Sequence, residues 1–168
     1  MATVRRIVTE EDRQLHQPSV QVQRFGDTLH KLLDDMAATM YAADGVGIAA
    51  PQIGVNKCVV VLDDREGNFY ELVNPRIVER SGAASAVEYC LSVPTRGGVV
   101  VRSTWVKVEA QDRNGEPFTV EATDMLARIF QHEIDHLHGV LFTDVMIEEI
   151  RDDAPAPKRR IIGRRKQR

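Results

Sequence analysis

No run of about 18 apolar residues occurs in this chain, so no segment reads as a membrane-spanning helix. The opening residues, Met1 to Gln17, are charged and hold no apolar core, which argues against a secretory signal. Glu10, Glu11 and Asp12 argue equally against an acid-poor transit peptide, so no targeting segment is expected. Cysteine is scarce. With only Cys58 and Cys90 and no export signal, a disulfide framework is not expected. Acidic residues are absent from residues 158–168, which carry seven basic side chains, so a chain of net charge −3 holds −10 over residues 1–157. A basic arm of this kind is a solvated terminus or an electrostatic contact with a polyanion such as nucleic acid.

What is present suits one domain with a real core: 168 residues, 43% hydrophobic and 28% charged. Leu29, Leu32, Leu33, Met36, Ala37 and Met40 form one helical stripe opening at Asp27-Thr28 and ended by Gly45 and Gly47. Strands are predicted over 57–62, 69–73, 76–79, 99–102, 105–110 and 118–121, with Asn74-Pro75 and Asn114-Gly115 as turns. A second helix is predicted from a Thr123 N-cap to about His138, with Gly139 closing it and Met125, Leu126, Ile129, Phe130 and Leu137 as its apolar positions. Cys58 reads as a small core hydrophobe at the head of a buried strand. The layout is α+β: a helix, several short antiparallel strands, then a second helix. Residues 1–151 form the expected single domain, and 152–168 a spacer and basic tail.

His132-Glu133-Ile134-Asp135-His136 is the richest stretch for chemistry. Residues four apart share one helix face, so both imidazoles can reach one divalent metal, with Glu133 beside it to handle protons of a bound water. A solvated surface helix is the bland alternative. Apolar residues on both sides of the motif weigh against it, because uncompensated polar groups facing inward are costly and a metal compensates them. His138, His16 and His30 have no partner motif and read as surface residues. A catalytic site of this kind needs a third protein ligand. Downstream stand His138, Asp144, Glu148 and Glu149, none in a compelling frame. Upstream stands Cys90, in Glu88-Tyr89-Cys90-Leu91-Ser92, whose thiolate is a strong ligand for Zn²⁺ or Fe²⁺. Gly45-Val46-Gly47-Ile48-Ala49-Ala50-Pro51-Gln52 is a third cluster, where backbone can approach a ligand and Gln52 can donate to an oxyanion.

Taken in order, G-x-G-x-A-A-x-Q, E-x-C-L-S and Q-H-E-x-D-H-L-x-G resemble the three signature motifs of the peptide deformylase family. The resemblance runs from about Pro18 to about Asp144 and includes Thr39-Met40, Asn74-Pro75 and Arg102. It implies antiparallel strands surrounding a central metal-binding helix, and a metal-dependent hydrolase that removes the N-formyl group from the initiator methionine of nascent polypeptides and releases formate. Carried over by motif, Cys90, His132 and His136 bind the metal, with water as the fourth ligand. The family typically uses Fe²⁺ and tolerates Zn²⁺, Ni²⁺ or Co²⁺. Glu133 then carries the proton from water to the leaving amine, and Gln52 with the Leu91 backbone N–H holds the oxyanion. Gly45, Val46 and Gly47 offer an edge to the N-formylmethionyl peptide, and Met125, Arg128 and Ile129 help form the methionine pocket.

One position departs from the family pattern: Tyr89 stands where glycine is usual. It is expected either to pack outward or to narrow the cleft beside the substrate. Glu88 is expected to support the site from behind, toward the loop of Arg102. By charge and place, the tail 158–168 resembles the extensions with which some deformylases dock on the ribosome. Two other readings are an internal-cutting metalloprotease, which would not need the cysteine or glycine motifs, and a binding protein that has lost catalysis, against which Glu133 and Gln52 stand intact.

Overall fold

The computed structural model describes residues 1–151; the expected spacer and basic tail lie outside the described residues. Helix α1 spans Asp27–Ala42. Strands β1 (Gly47–Ala49), β2 (Val59–Asp63) and β3 (Phe69–Ser81) follow. Next come β4 (Ala84–Cys90), β5 (Val93–Arg102), β6 (Trp105–Gln111) and β7 (Pro117–Thr123). Helix α2 is Asp124–Leu137, and α3 (Phe142–Val145) and β8 (Glu148–Arg151) close the described chain. All strand pairs in the two sheets are antiparallel, in orders β1-β2-β3-β6-β7 and β4-β5-β8. No helix among the described residues is long and apolar enough to cross a membrane.

The unbroken apolar run of β2 has a direct cause. Successive strand side chains point to opposite faces, and here both faces are covered. Val59 and Val61 pack with Leu29, Leu33, Met36 and Met40 of α1. Val60 and Leu62 pack with Ile129, Phe130, Ile134 and Leu137 of α2. The five-stranded sheet therefore lies between two helices. On its far side α2 meets the smaller sheet, through Arg128 to β4 and β5 and His136 to Cys90 at the end of β4. That placement explains why α2 is buried at every residue from Ala127 to Leu137 except Asp135.

The structure differs from the sequence expectation at several places, among them the short strands β1 and β8, which fall outside the expected strands. Asn74-Pro75 is not a turn between two strands but a bulge within β3, where the register to β6 shifts between Val73 and Arg76. Asn74 takes the left-handed conformation with φ 51°, which asparagine tolerates better than most residues. Its amide fixes the bulge by accepting from Val22 N–H and donating to Val22 O, at 2.8 and 2.9 Å. Strand β4 is likewise absent from the expected strands; its first residues are small and exposed, with no alternation to read. Cys58 lies just ahead of β2 and is only half-buried. The expected hairpin is present, with Asp112 Oδ1 accepting from Asn114 and Glu116 N–H and Gly115 at φ 84°.

Candidate functional site

Helix α2 turns His132, Glu133 and His136 inward, and all three are 2% exposed or less. Cys90 arrives from the end of β4, its Sγ 3.4 Å from His136 Nε2. One ligand atom from each of Cys90, His132 and His136 lies within 4.8 Å of the others, the one such group of three or more among the described residues. The downstream alternatives are occupied elsewhere: Asp144 accepts from Leu141 N–H, and Glu149 pairs with Arg96. His138 is exposed, as expected. His16 is exposed too, with Nε2 2.6 Å from Glu10 O, whereas His30 is half-buried and its ring meets Arg113 O at 2.8 Å.

These residues fit a divalent transition metal. His132 turns Nδ1 to Glu88 Oε1 at 2.8 Å, so Nε2 is the nitrogen left for a metal. That Nε2 is buried and has no hydrogen-bond partner among the described residues, a situation costing about 1–3 kcal/mol for an ordinary polar atom. A cation at the shared point of the three donors removes that cost. Burial pulls both imidazoles down. The Cys90 sulfur and Glu88 nonetheless raise His132 well above its ordinary value, while burial and the neighbouring His132 hold His136 well below. One thiolate with two imidazoles suits Zn²⁺, Fe²⁺, Co²⁺ or Ni²⁺.

Glu133 lies against β1. Its Oε2 is buried without a partner among the described residues, and burial raises its carboxyl to about 7, against the opposing pull of His132. The room it occupies exists because residue 47 is glycine: a Cβ there would stand 2.8 Å from Glu133 Oε1. Gln52 sits in a 3-10 turn, Ala50–Ile53. Its Oε1 accepts from Ala49 N–H at 2.9 Å, so the amide nitrogen faces Ser92 Oγ (3.1 Å) and Cys90 Sγ (3.5 Å). Leu91 follows Cys90 in the β4–β5 turn and is half-buried. Gly45 and Gly47 are buried, Val46 is half-buried, and β1 is an edge strand of its sheet.

Behind the donors stands a charged network. Glu88 takes Arg102 Nε and Nη2 at 2.9 and 3.0 Å and Arg128 Nη1 at 2.7 Å, while Arg102 Nη1 reaches Asp135. Burial alone would raise the Glu88 carboxyl, but hydrogen bonds from His132 and Arg102 hold it far below the usual carboxylate range. The support expected of Glu88 is therefore directed at His132 as well as Arg102. Arg128 was expected beside substrate; its guanidinium is instead spent on Glu88, Val100 O and Ala84 O. Met125 and Ile129 pack in the core beneath the sheet. The Tyr89 ring lies over β5, where a Cβ at Gly97 would come within 2.5 Å of its Cε1, and the residue is only 8% exposed. Sequence reasoning missed Ser92 and the Asp135 contact, although Asp135 lies inside the His132–His136 motif. It also missed Phe142, whose ring stacks on His132 at 6.1 Å.

This arrangement has close counterparts. A curated peptide deformylase of Alkaliphilus metalliredigens is 47% identical over 146 residues, covering 87% of this chain and 99% of the relative. That of Caldicellulosiruptor bescii is 50% identical over 150 residues, 89% and 90% of the two chains. Among solved structures, a peptide deformylase from Legionella pneumophila superposes with a TM-score of 0.83 at 42% identity, covering 86% of each chain. One from Synechococcus elongatus, in complex with actinonin, gives 0.81 at 39% identity over 87% and 82% of the two chains. The polypeptide deformylase family model matches residues 4–152, a span that holds every donor of the buried Cys90–His132–His136 group, and the chain belongs to that family.

Proposed function

We propose that this protein removes the formyl group from N-formylmethionyl peptides, with Cys90, His132 and His136 holding one divalent metal. The convergence of these three donors with Glu133 and the Gln52 amide carries the reading. When bound, the metal supplies the Lewis acidity that makes water a nucleophile near neutral pH. Gln52 Nε2, aimed by the Ala49 contact, donates to the oxygen that gains charge as the formyl carbonyl is attacked, together with Leu91 N–H. Glu133 receives the water proton and delivers it to the leaving methionine amine; burial that holds its carboxyl near 7 suits both directions. The peptide backbone adds to the open edge of β1 at Gly45, Val46 and Gly47. The methionine side chain lies toward Met125 and Ile129.

Fe²⁺ is the proposed physiological metal, because thiolate donation makes a site less acidic than three imidazoles would. The proposed setting is the bacterial cytoplasm, with residues 158–168 docking on ribosomal RNA or protein. Deleting that tail should leave activity on a short formyl peptide unchanged and weaken ribosome binding at low salt; equal ribosome affinity would remove the docking role. The central test is formate release from formyl-Met-Ala-Ser by Fe²⁺- or Ni²⁺-loaded protein without oxygen, beside Glu133→Ala. Release by the parent, nearly abolished in the variant, supports reaction and proton carrier together. No formate from a fully loaded parent overturns the proposal.

A further inference from the structure

Resting on that deformylase reading, we propose that Arg128 is a positioning residue for the metal centre, locking the ligand-bearing strand β4 to the ligand-bearing helix α2 through Glu88. Arg128 sits one helical turn before His132 and is 5% exposed. An arginine that borders an apolar methionine pocket offers its methylenes and keeps its head in water. This head is buried and engaged through both Nη atoms. Nη1 donates to Glu88 Oε2 at 2.7 Å and to Val100 O at 2.9 Å, and Nη2 donates to Ala84 O at 2.7 Å. One side chain of α2 thus grips the backbone of both β4 and β5 and the Glu88 carboxylate of β4.

The grip ends at the metal donors. A carboxylate has about four lone-pair sites, and Glu88 receives four N–H groups: Arg102 Nε and Nη2, Arg128 Nη1 and His132 Nδ1. A carboxylate saturated in this way cannot swing. It fixes the tautomer of His132 and the direction of its Nε2. Cys90 lies two residues beyond Glu88 on the same strand, so the staple that places Glu88 against α2 also sets the distance from Cys90 to His132 and His136. Arg102 holds the same carboxylate from β5 and reaches α2 at Asp135; Arg128 alone of the two arginines projects from α2 itself and also holds the backbone of β4 and β5.

The test uses the full chain with Co²⁺, whose visible absorption reports ligand geometry. Arg128→Met keeps the stem and removes the donors, and Arg128→Lys keeps the charge and part of the bonding. Affinity is measured by competition with a chromogenic chelator, beside KM for formyl-Met-Ala-Ser at full loading. The expected result for Arg128→Met is Co²⁺ affinity lower by about tenfold or more, altered absorption bands, KM within twofold of the parent, and partial recovery in Arg128→Lys. Unchanged affinity and spectrum with a raised KM would assign Arg128 to the substrate pocket and overturn the proposal. A lower melting temperature with affinity and spectrum intact would make it a structural strut and overturn it equally. Should Arg128→Met not fold, Arg128→Lys carries the same comparison. A parent that binds Co²⁺ but releases no formate would fail the deformylase reading and leave the affinity comparison standing.

Discussion

Gly47→Ala adds one methyl group to β1 where the strand faces Glu133. Its Cβ would stand 2.8 Å from Oε1, 2.9 Å from Cγ and 3.0 Å from Cδ of that side chain. Comfortable carbon contacts lie at about 3.5–4.0 Å, so three atoms must yield by roughly half an ångström to one ångström. The backbone at residue 47 is not in the left-handed region, so alanine itself is acceptable there and the whole effect comes from the contact. Either β1 gives up its pairing of Gly47 with Leu62, or Glu133 moves. Glu133 is the softer partner, since its Oε2 has no hydrogen bond among the described residues to hold it.

A displacement of about 1 Å in a reacting group costs about 100-fold, which lies within the 10²–10⁴-fold that a positioned proton carrier typically contributes. We expect kcat on formyl-Met-Ala-Ser to fall about 100-fold, roughly 2.7 kcal/mol, at unchanged metal content. The overpacking itself should lower stability by about 1–3 kcal/mol. Formate release gives the first number, metal analysis the second and denaturant unfolding the third. Glu133→Asp serves as the second arm of a double-mutant cycle. It draws the carboxylate back from the methyl, so adding Gly47→Ala to it should cost less than a further tenfold. A single variant within threefold of the parent, or losses that simply multiply, would refute the steric argument.

Gln52→Ala should lower kcat about 10²–10³-fold with little change in metal affinity, because it removes the proposed oxyanion donor; a loss below threefold in formate release would exclude the role. Val8→Pro deletes the N–H that donates to Gln52 O at 2.8 Å, and kcat should fall more than in Val8→Ala at similar KM. Equal kinetics in the two variants would show that the Val8 contact does not aim Gln52. Asp35 on α1 is fully buried. Burial alone would raise its carboxyl, but Lys31, Thr3 N–H and Arg5 hold it well below its ordinary 3.8. A depressed folded pKa stabilises above the unfolded value and loses that contribution as pH falls. Asp35→Asn should therefore cost about 1–2 kcal/mol at pH 6, allowing for the partial exposure of Arg5 and Lys31. The gap to the parent should narrow as pH drops below 3.8; a constant gap in urea midpoints from pH 6 to pH 3 would contradict the assignment.

Both long helices were legible because a one-sided apolar stripe is a local property of sequence. Asp35 was not: its place in the α1 core depends on Arg5 and Thr3, thirty residues away in the chain. The β3 bulge escaped notice because Asn-Pro carries the same local signal in a turn and in a bulge, and only the β6 register separates them. The two histidines and Glu133 were visible as helix spacing. Cys90 was visible as a candidate third ligand from its thiolate, but only the resemblance singled it out, since nothing in its own segment marks the strand that delivers it. Arg128 misled for a related reason. Position on a helix tells which face a residue occupies but not which of two neighbours, peptide or Glu88, its head will meet.

Environment alone suits the two buried carboxylates to different roles. Glu88 has four N–H donors and two guanidiniums around it, and it stays ionised far below the ordinary range. Glu133 is equally buried, yet one of its oxygens meets no donor among the described residues, and its carboxyl rises to about 7. A group saturated with donors can orient His132 but cannot exchange protons usefully, because its proton affinity is too low. A group left without donors can exchange them, and Gly47 keeps the space beside it clear. Swapping either environment should therefore damage function in a distinct way: loosening Glu88 through metal affinity, and crowding Glu133 through kcat with the metal still bound.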